Sequence, residues 1–166
     1  LLGLVGSEMC IRDSLYFANG FYIDEGENKL YLSEMMKNRV LVYDLDVSTG
    51  SLSNQTTLAI MPTPDNMELN SEGDLWVASP LSNQILSIDV ESGAVTVVFD
   101  AQTDIGFESM KTGIERIENG EGFADLLSPE LTGDMPGLLT GMILGDESQP
   151  FYVANLGTAL IQVAKK

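Results

Sequence analysis

From residue 15 onward the chain alternates short apolar and polar runs with clusters of turn residues, the pattern of half-buried strands rather than helices. The runs fall at residues 19–24, 29–34, 38–44 and 57–61, with turns at 25–28 and 48–50. A second unit repeats this order, with runs at 66–70, 74–79, 83–89 and 95–99 and turns at 71–73 and 91–93. Asn38 then corresponds to Asn83, and Gly50 to Gly93. The repeat length lies in the range of about 40–50 residues expected of a four-stranded propeller blade. Residues 140–144, 151–154 and 159–163 form a third unit without its last strand. The expected fold is all-β: a partial β-propeller of about three blades of four antiparallel strands.

A single blade cannot bury both of its faces, so blades stack and the ring closes to protect the first and the last. Three blades cannot close a ring. Residues 15–166 are therefore expected to be the C-terminal half of a propeller domain, with the fourth strand after Val163 supplied by an N-terminal strand, as propellers often arrange.

Between Phe99 and Leu138 the blade rhythm breaks. Residues 105–127 mix Met110, Ile114, Ile117, Phe123, Leu126 and Leu127 with charges and glycines, which predicts one or two short helices. The segments around Pro129 and Pro136 read as loop. Residues 105–137 thus form a short helical insertion, either a lid over the propeller mouth or a decoration packed outside it.

Composition narrows the chemistry. The 166 residues are 44% hydrophobic, enough to fill a core. With 8 Lys and Arg against 25 Asp and Glu, the formal net charge of −17 would repel phosphate backbones and anionic lipid surfaces. Nucleic acid and membranes are therefore excluded as expected partners. The carboxylate excess suits hard cations with oxygen ligands and equally a solvated acidic surface. One cysteine and no histidine rule out an internal disulfide, a Cys/His zinc site and any histidine-activated Ser or Cys nucleophile. Chemistry here must use carboxylates, amides, hydroxyls or lysines.

Residues 1–14 are set apart from the fold. The apolar run 1–5 is too short to span a bilayer and has neither a basic region before it nor a clear cleavage site after it. Residues 6–14 resemble a translated sequencing adapter, so 1–14 are expected to be a non-native or artefactual N-terminal segment, and Cys10 with them. No signal peptide is visible there. A secreted or periplasmic setting would suit loading with a hard cation, while the compartment and the oligomeric state are left open.

The candidate ligands sit at blade starts. The innermost strand of each blade lines the propeller channel, so residues at its beginning converge on one axis. Ala18-Asn-Gly20 opens one inner strand and Pro64-Asp-Asn66 opens the next. Asn19 and Asn66 offer amide oxygens and Asp65 a carboxylate, a set suited to calcium rather than to a soft metal. The same dipeptides are ordinary turn formers. Asp44-Leu-Asp-Val-Ser48 has some likeness to a calcium loop, but Gly50 comes one place late for an EF-hand and the closing glutamate is missing; it reads as a strand ending in a turn. Glu34, at the end of a second strand, reads as a solvated carboxylate, with an approach to the channel mouth as the alternative.

Phe17-Ala-Asn-Gly20, Leu30-Tyr-Leu-Ser-Glu34, Asn38-Arg-Val-Leu-Val-Tyr43, Pro64-Asp-Asn66 and Gly73-Asp-Leu-Trp-Val-Ala78 together resemble the second half of the gluconolactonase and regucalcin superfamily, and most of all paraoxonase-type arylesterases. The resemblance covers residues 15–99 well and the tail from Gly141 weakly. It implies a six-bladed propeller with a calcium ion deep in its channel, held in part by Asn19, Asp65 and Asn66, which are thereby the expected catalytic and metal-binding residues. A glutamate and a further asparagine from earlier blades complete that site in the family and are not assignable here, and the histidine base of paraoxonases has no counterpart. The implied function is calcium-dependent hydrolysis of lactones or aryl esters, with a small-molecule lactone or ester as partner and little activity from these blades alone. A strictosidine synthase-like enzyme and a non-enzymatic binding scaffold are the alternatives, since a fold does not imply a function.

Overall fold

The structure, a computed structural model, describes residues 15–145, 151–157 and 159–163. The expectations for residues 1–14 and for a strand beyond Val163 lie outside the described residues.

Among the described residues eleven strands form three antiparallel sheets, two of four strands and one of three. The first blade holds β1 (Ala18–Asp24), β2 (Lys29–Glu34), β3 (Arg39–Asp46) and β4 (Ser51–Ile60), side by side in chain order. The second holds β5 (Met67–Leu69), β6 (Leu75–Ser79), β7 (Gln84–Ile88) and β8 (Val95–Asp100) in the same order. The third holds β9 (Gly137–Ile143), β10 (Phe151–Gly157) and β11 (Ile161–Val163). The inner strands β1, β5 and β9 are neighbours. The all-β partial propeller with a helical insertion is what the periodicity predicted.

The repeat correspondences are physical. Asn38 and Asn83 both adopt the left-handed conformation, with φ of 50° and 53°, which asparagine tolerates better than most residues. Each amide oxygen then accepts a backbone N–H from the next blade or its approach: Asn38 from Thr63, ahead of β5, at 3.0 Å and Asn83 from Leu139, within β9, at 3.1 Å. Gly50 and Gly93 close equivalent turns, both at φ 71°. The side chains of Asp46 and Asp89 accept backbone N–H groups inside those turns, so the segment from Asp44 is a strand ending in a turn, as read from the sequence.

Burial follows the alternation. Tyr31, Val40, Ala59 and Met61 of the first blade pack on Met67, Leu75, Val77, Leu86 and Ile88 of the second. Between the second and third blades Ile85 meets Leu139, Phe151 and Val153, and Trp76 meets the edge of Phe151 with ring centroids 5.5 Å apart. The opposite face of β1 leaves Phe21 and Ile23 exposed, and in the third blade the paired Ile143 and Tyr152 are likewise exposed. The two end blades of the arc therefore each present apolar side chains on the face turned away from their neighbour.

Three boundaries differ from expectation. Strand β4 begins six residues earlier than the 57–61 run, because the polar residues from Ser51 onward sit on an exposed outer strand where pairing needs no apolar alternation. Strand β9 begins at Gly137 instead of 140. Residues Pro129–Thr132 form a 3-10 turn rather than loop, with Pro129 in the first turn, where its missing N–H costs nothing.

The insertion contains one long helix, α1 (Asp104–Glu118), and a 3-10 turn at Ala124–Leu126. Thr103 caps α1 by accepting the N–H of Gly106 at 2.9 Å. Arg116 donates to both carboxylate oxygens of Asp125, at 2.7 and 2.8 Å, fastening the following segment back onto the helix. Ile117, Phe123 and Leu131 pack with Met35 of the first blade, Leu81 of the second and Leu138 of the third. A side chain at Gly113 would collide with the fully buried Leu81, so glycine in mid-helix permits the close approach. The helix thus bridges the three blades at the end where β1 and β5 begin.

Candidate metal centre at the blade entrances

Asn19 is the second residue of β1, and the pairing of β1 with β2 shifts register between Ala18 and Phe21. A bulge at that point re-aims a side chain. Asp65 and Asn66 immediately precede β5. The backbone of Asp65 is clamped from both sides: its N–H donates to Ala78 O at 2.9 Å, and its carbonyl accepts the hydroxyl of buried Ser33 at 2.6 Å. Asn66 is held by the third blade, its amide nitrogen donating to Thr140 O at 2.8 Å and to the Asp65 carboxylate at 3.0 Å. The Asn19 side chain also hydrogen-bonds the Asp65 carboxylate. The structure thus brings Asn19, Asp65 and Asn66 together.

Asp65 is only 6% exposed. Burial pushes its carboxyl up to about 6, and the hydrogen bonds from the Asn66 backbone and the Asn19 side chain only partly oppose that rise. Its partners are amides, not a lysine or arginine. A buried carboxylate with two asparagine side chains against it offers only hard oxygens and one negative charge to neutralise, a chemistry that fits a calcium ion. Among the described residues no group of three or more acidic, histidine or cysteine side chains converges. The fit therefore rests on Asp65 with the amide oxygens of Asn19 and Asn66, part of the about 6–8 oxygens that calcium takes.

Asn19, Asp65 and Thr140 are the polar side chains that line a cavity of about 340 Å³. Its walls are apolar: Phe17, Met35 and Met36 from the first blade, Phe123 and Leu127 from the insertion, and Leu156 from the third blade. That volume falls in the range of small-molecule sites. The insertion is thus a wall of this mouth, not an outside decoration.

Glu34 departs from expectation. It is fully buried, not solvated, and its Oε2 accepts Nε of Arg39 at 2.6 Å while Oε1 accepts the Tyr16 N–H at 2.8 Å. The strand end turns its carboxylate onto the first residue of β3, and it takes no part in lining the cavity. Thr140 and Ser33 were missed from the sequence. Thr140-Gly141 repeats the position of Asn19-Gly20 in the third unit, a signal that was readable; Ser33 acts through an interblade contact that leaves no local pattern.

The family model describing the SMP-30/gluconolactonase/LRE-like region matches residues 3–105. The chain belongs to this family. The match ends where α1 begins. Among relatives of this gluconolactonase-like chain, the regucalcins of Danio rerio and Xenopus laevis are each 32% identical over 85 residues, which is 49% of this chain and 29% and 28% of theirs. The chain therefore spans less than a third of the length of these relatives in the matched region. Two solved structures superpose on most of it, a luciferin-regenerating enzyme and a gluconolactonase from Xanthomonas campestris, both with a TM-score of 0.57. They are 23% and 16% identical and cover 85% and 88% of this chain, against 38% and 37% of their own lengths. The gluconolactonase-like chain shares their propeller fold over about that fraction of the ring.

Proposed function

We propose that the protein containing these three blades is a calcium-dependent hydrolase of lactones, with aryl esters as a second substrate class. The observation that carries this reading is Asp65, a buried carboxylate with amide partners that lines a largely apolar cavity. Family membership supports it, because one structural relative is described as a gluconolactonase, a lactone-opening enzyme. The paraoxonase-like motifs at Phe17-Ala-Asn-Gly20 and Pro64-Asp-Asn66 support the aryl ester component.

Asn19, Asp65 and Asn66 would hold the ion together with groups from the rest of the ring. Bound calcium would supply a Lewis acid for the substrate carbonyl and for the negative charge that develops when water attacks. The chain's own residues prepare that site. Ser33 and Ala78 fix the Asp65 backbone, and Thr140 orients the Asn66 amide. With no cation bound, burial pushes the Asp65 carboxyl up to about 6, and a bound cation would favour its charged form. The chain has no histidine to act as the base, so proton abstraction falls to a group from another blade or to a carboxylate.

The test is turnover of a panel of lactones and phenyl esters by the full-length protein, with and without a calcium chelator. Chelation and Asp65→Ala should each abolish activity. Chelator-insensitive turnover, or full activity in Asp65→Ala, would overturn the calcium mechanism. No turnover across the panel would favour the binding-scaffold alternative.

A further inference from the structure

We infer that Glu34 and Ser79, the last residues of β2 and β6, are positioning residues for the metal centre. Each holds the backbone three residues ahead of one ligand, Asn19 or Asp65, and so aims these two side chains at each other. The inference rests on the metal reading above and adds the residues that set its geometry. Phe21 pairs with Leu32 and Met67 with Val77. Asn19 and Asp65, two residues ahead of Phe21 and Met67, therefore hold one position in the repeat, and Glu34 and Ser79 hold another. Both strand-end side chains are fully buried. Glu34 Oε1 accepts the N–H of Tyr16 at 2.8 Å, three residues before Asn19. Ser79 Oγ donates to the carbonyl of Pro62 at 2.6 Å, three residues before Asp65. Ser82 donates to the same Ser79 oxygen at 2.6 Å, which leaves the Ser79 proton for Pro62.

The next residue of each approach is strained in the same sense. Phe17 has φ 59° and Thr63 has φ 34°, a left-handed backbone that bulky and β-branched residues rarely adopt. Such conformations persist only where the surroundings over-determine them, and they gather at functional sites. Here the Phe17 carbonyl accepts the N–H of Met35 at 3.1 Å, and Thr63 Oγ1 accepts the N–H of Leu81 at 3.2 Å. Ser33, next to Glu34 on β2, ties the two approaches together by donating to Asp65 O at 2.6 Å. The third blade supplies the contrast. Val153 pairs with Met142, which makes Leu138, Thr140 and Asn155 the equivalents of Thr63, Asp65 and Ser79. Leu138 has an ordinary strand backbone, and the buried Oδ1 of Asn155 has no hydrogen-bond partner among the described residues. The device is thus confined to the two blades that supply Asn19 and Asp65, and belongs to the metal centre rather than to blade construction in general.

The test has two readouts on the full-length protein, calcium titration by calorimetry and, in chelator, the side-chain amide resonances of Asn19 by NMR. Ser79→Ala and Glu34→Gln should each weaken calcium about tenfold, the effect of one buried hydrogen bond lost or impaired. Both should also shift the Asn19 amide resonances. The control is Ile88→Val, fully buried and paired with Leu75 at the end of β6 far from Ser79. It destabilises the core but should keep calcium affinity within about twofold and leave the Asn19 resonances in place. Urea denaturation establishes that each variant is folded, and Ser79→Ala decides the matter if Glu34→Gln is not. Wild-type calcium affinity and unmoved Asn19 resonances in folded Ser79→Ala overturn the inference and keep the metal reading. Equal weakening by Ile88→Val overturns it as well, because the effect then follows stability alone. If the wild-type protein takes up no calcium, the metal reading fails, and the Asn19 resonances by themselves decide whether Glu34 and Ser79 position that side chain.

Discussion

A side chain on Gly20 has nowhere to go, because its Cβ would lie 2.5 Å from the Cα of Asn66 and as close to the carbonyl oxygen of Asp65. The two inner strands touch backbone to backbone, and this contact places Asn19 against the Asp65 carboxylate. Gly20→Ala must push the segment before β5 outward. It should destabilise the protein by about 1–3 kcal/mol, as overpacking does, and weaken calcium binding more than its effect on stability alone would explain. Gly26→Ala, in an exposed turn whose nearest contact is Oδ1 of Asp24 at 3.3 Å, should stay within about 0.5 kcal/mol. Urea denaturation and calcium titration of both variants check the contrast.

The raised pKa of Asp65 has a sign that can be followed in solution. In chelator, the unfolded chain releases the Asp65 proton near its ordinary value of about 3.9, whereas the folded chain keeps it until about 6. Between these values the native state binds more protons, so this group's contribution to stability falls as pH rises, then levels off above about 6. Asp65→Asn should remove that fall and make the chelated protein more stable by about 1–3 kcal/mol at neutral pH. Calcium should offset the loss in the wild-type protein above pH 6, where the carboxylate is ionised, and do so less well in the variant. Melting temperatures from pH 4 to 8, with chelator and with calcium, read both effects.

The ion pair between Arg39 and Glu34 should respond asymmetrically. Glu34 is fully buried, whereas the Arg39 side chain is 32% exposed. Arg39→Ala therefore strands a buried charge and should cost about 3–5 kcal/mol. Glu34→Ala frees an arginine that can turn to water, and should cost less. Equal losses in chemical denaturation would contradict the assigned burial.

Asn38 and Asn83 connect successive blades through the same two properties, a left-handed backbone and an amide oxygen aimed at the next blade. Asn83→Ala loses both and should cost about 2–4 kcal/mol. Asn83→Gly keeps the backbone conformation and should recover about 1 kcal/mol of that. Asn38→Ala, at the equivalent place, should behave in kind, which denaturant midpoints for the three variants would reveal.

The blades were legible in the sequence because their causes are local. Period-two alternation, turn glycines and left-handed asparagines each act within a few residues, so strands, turns and the equivalence of Asn38 with Asn83 could be read directly. The meeting of Asn19 with Asp65 and Asn66 was legible for the same reason, since both segments open inner strands at the same point of the repeat. Other features depended on what lies across the fold. The burial of Glu34 came from Arg39 and the Tyr16 backbone, not from its own neighbours in the strand. The close seat of α1 needed Leu81 opposite Gly113. The clamp of Ser33 on Asp65 joins residues 32 positions apart. The apolar mouth is assembled from the first blade, the insertion and the third blade. Periodicity determines which face of an element is apolar, but the partner that covers this face is chosen by packing at long range, and there the tertiary structure alone decides.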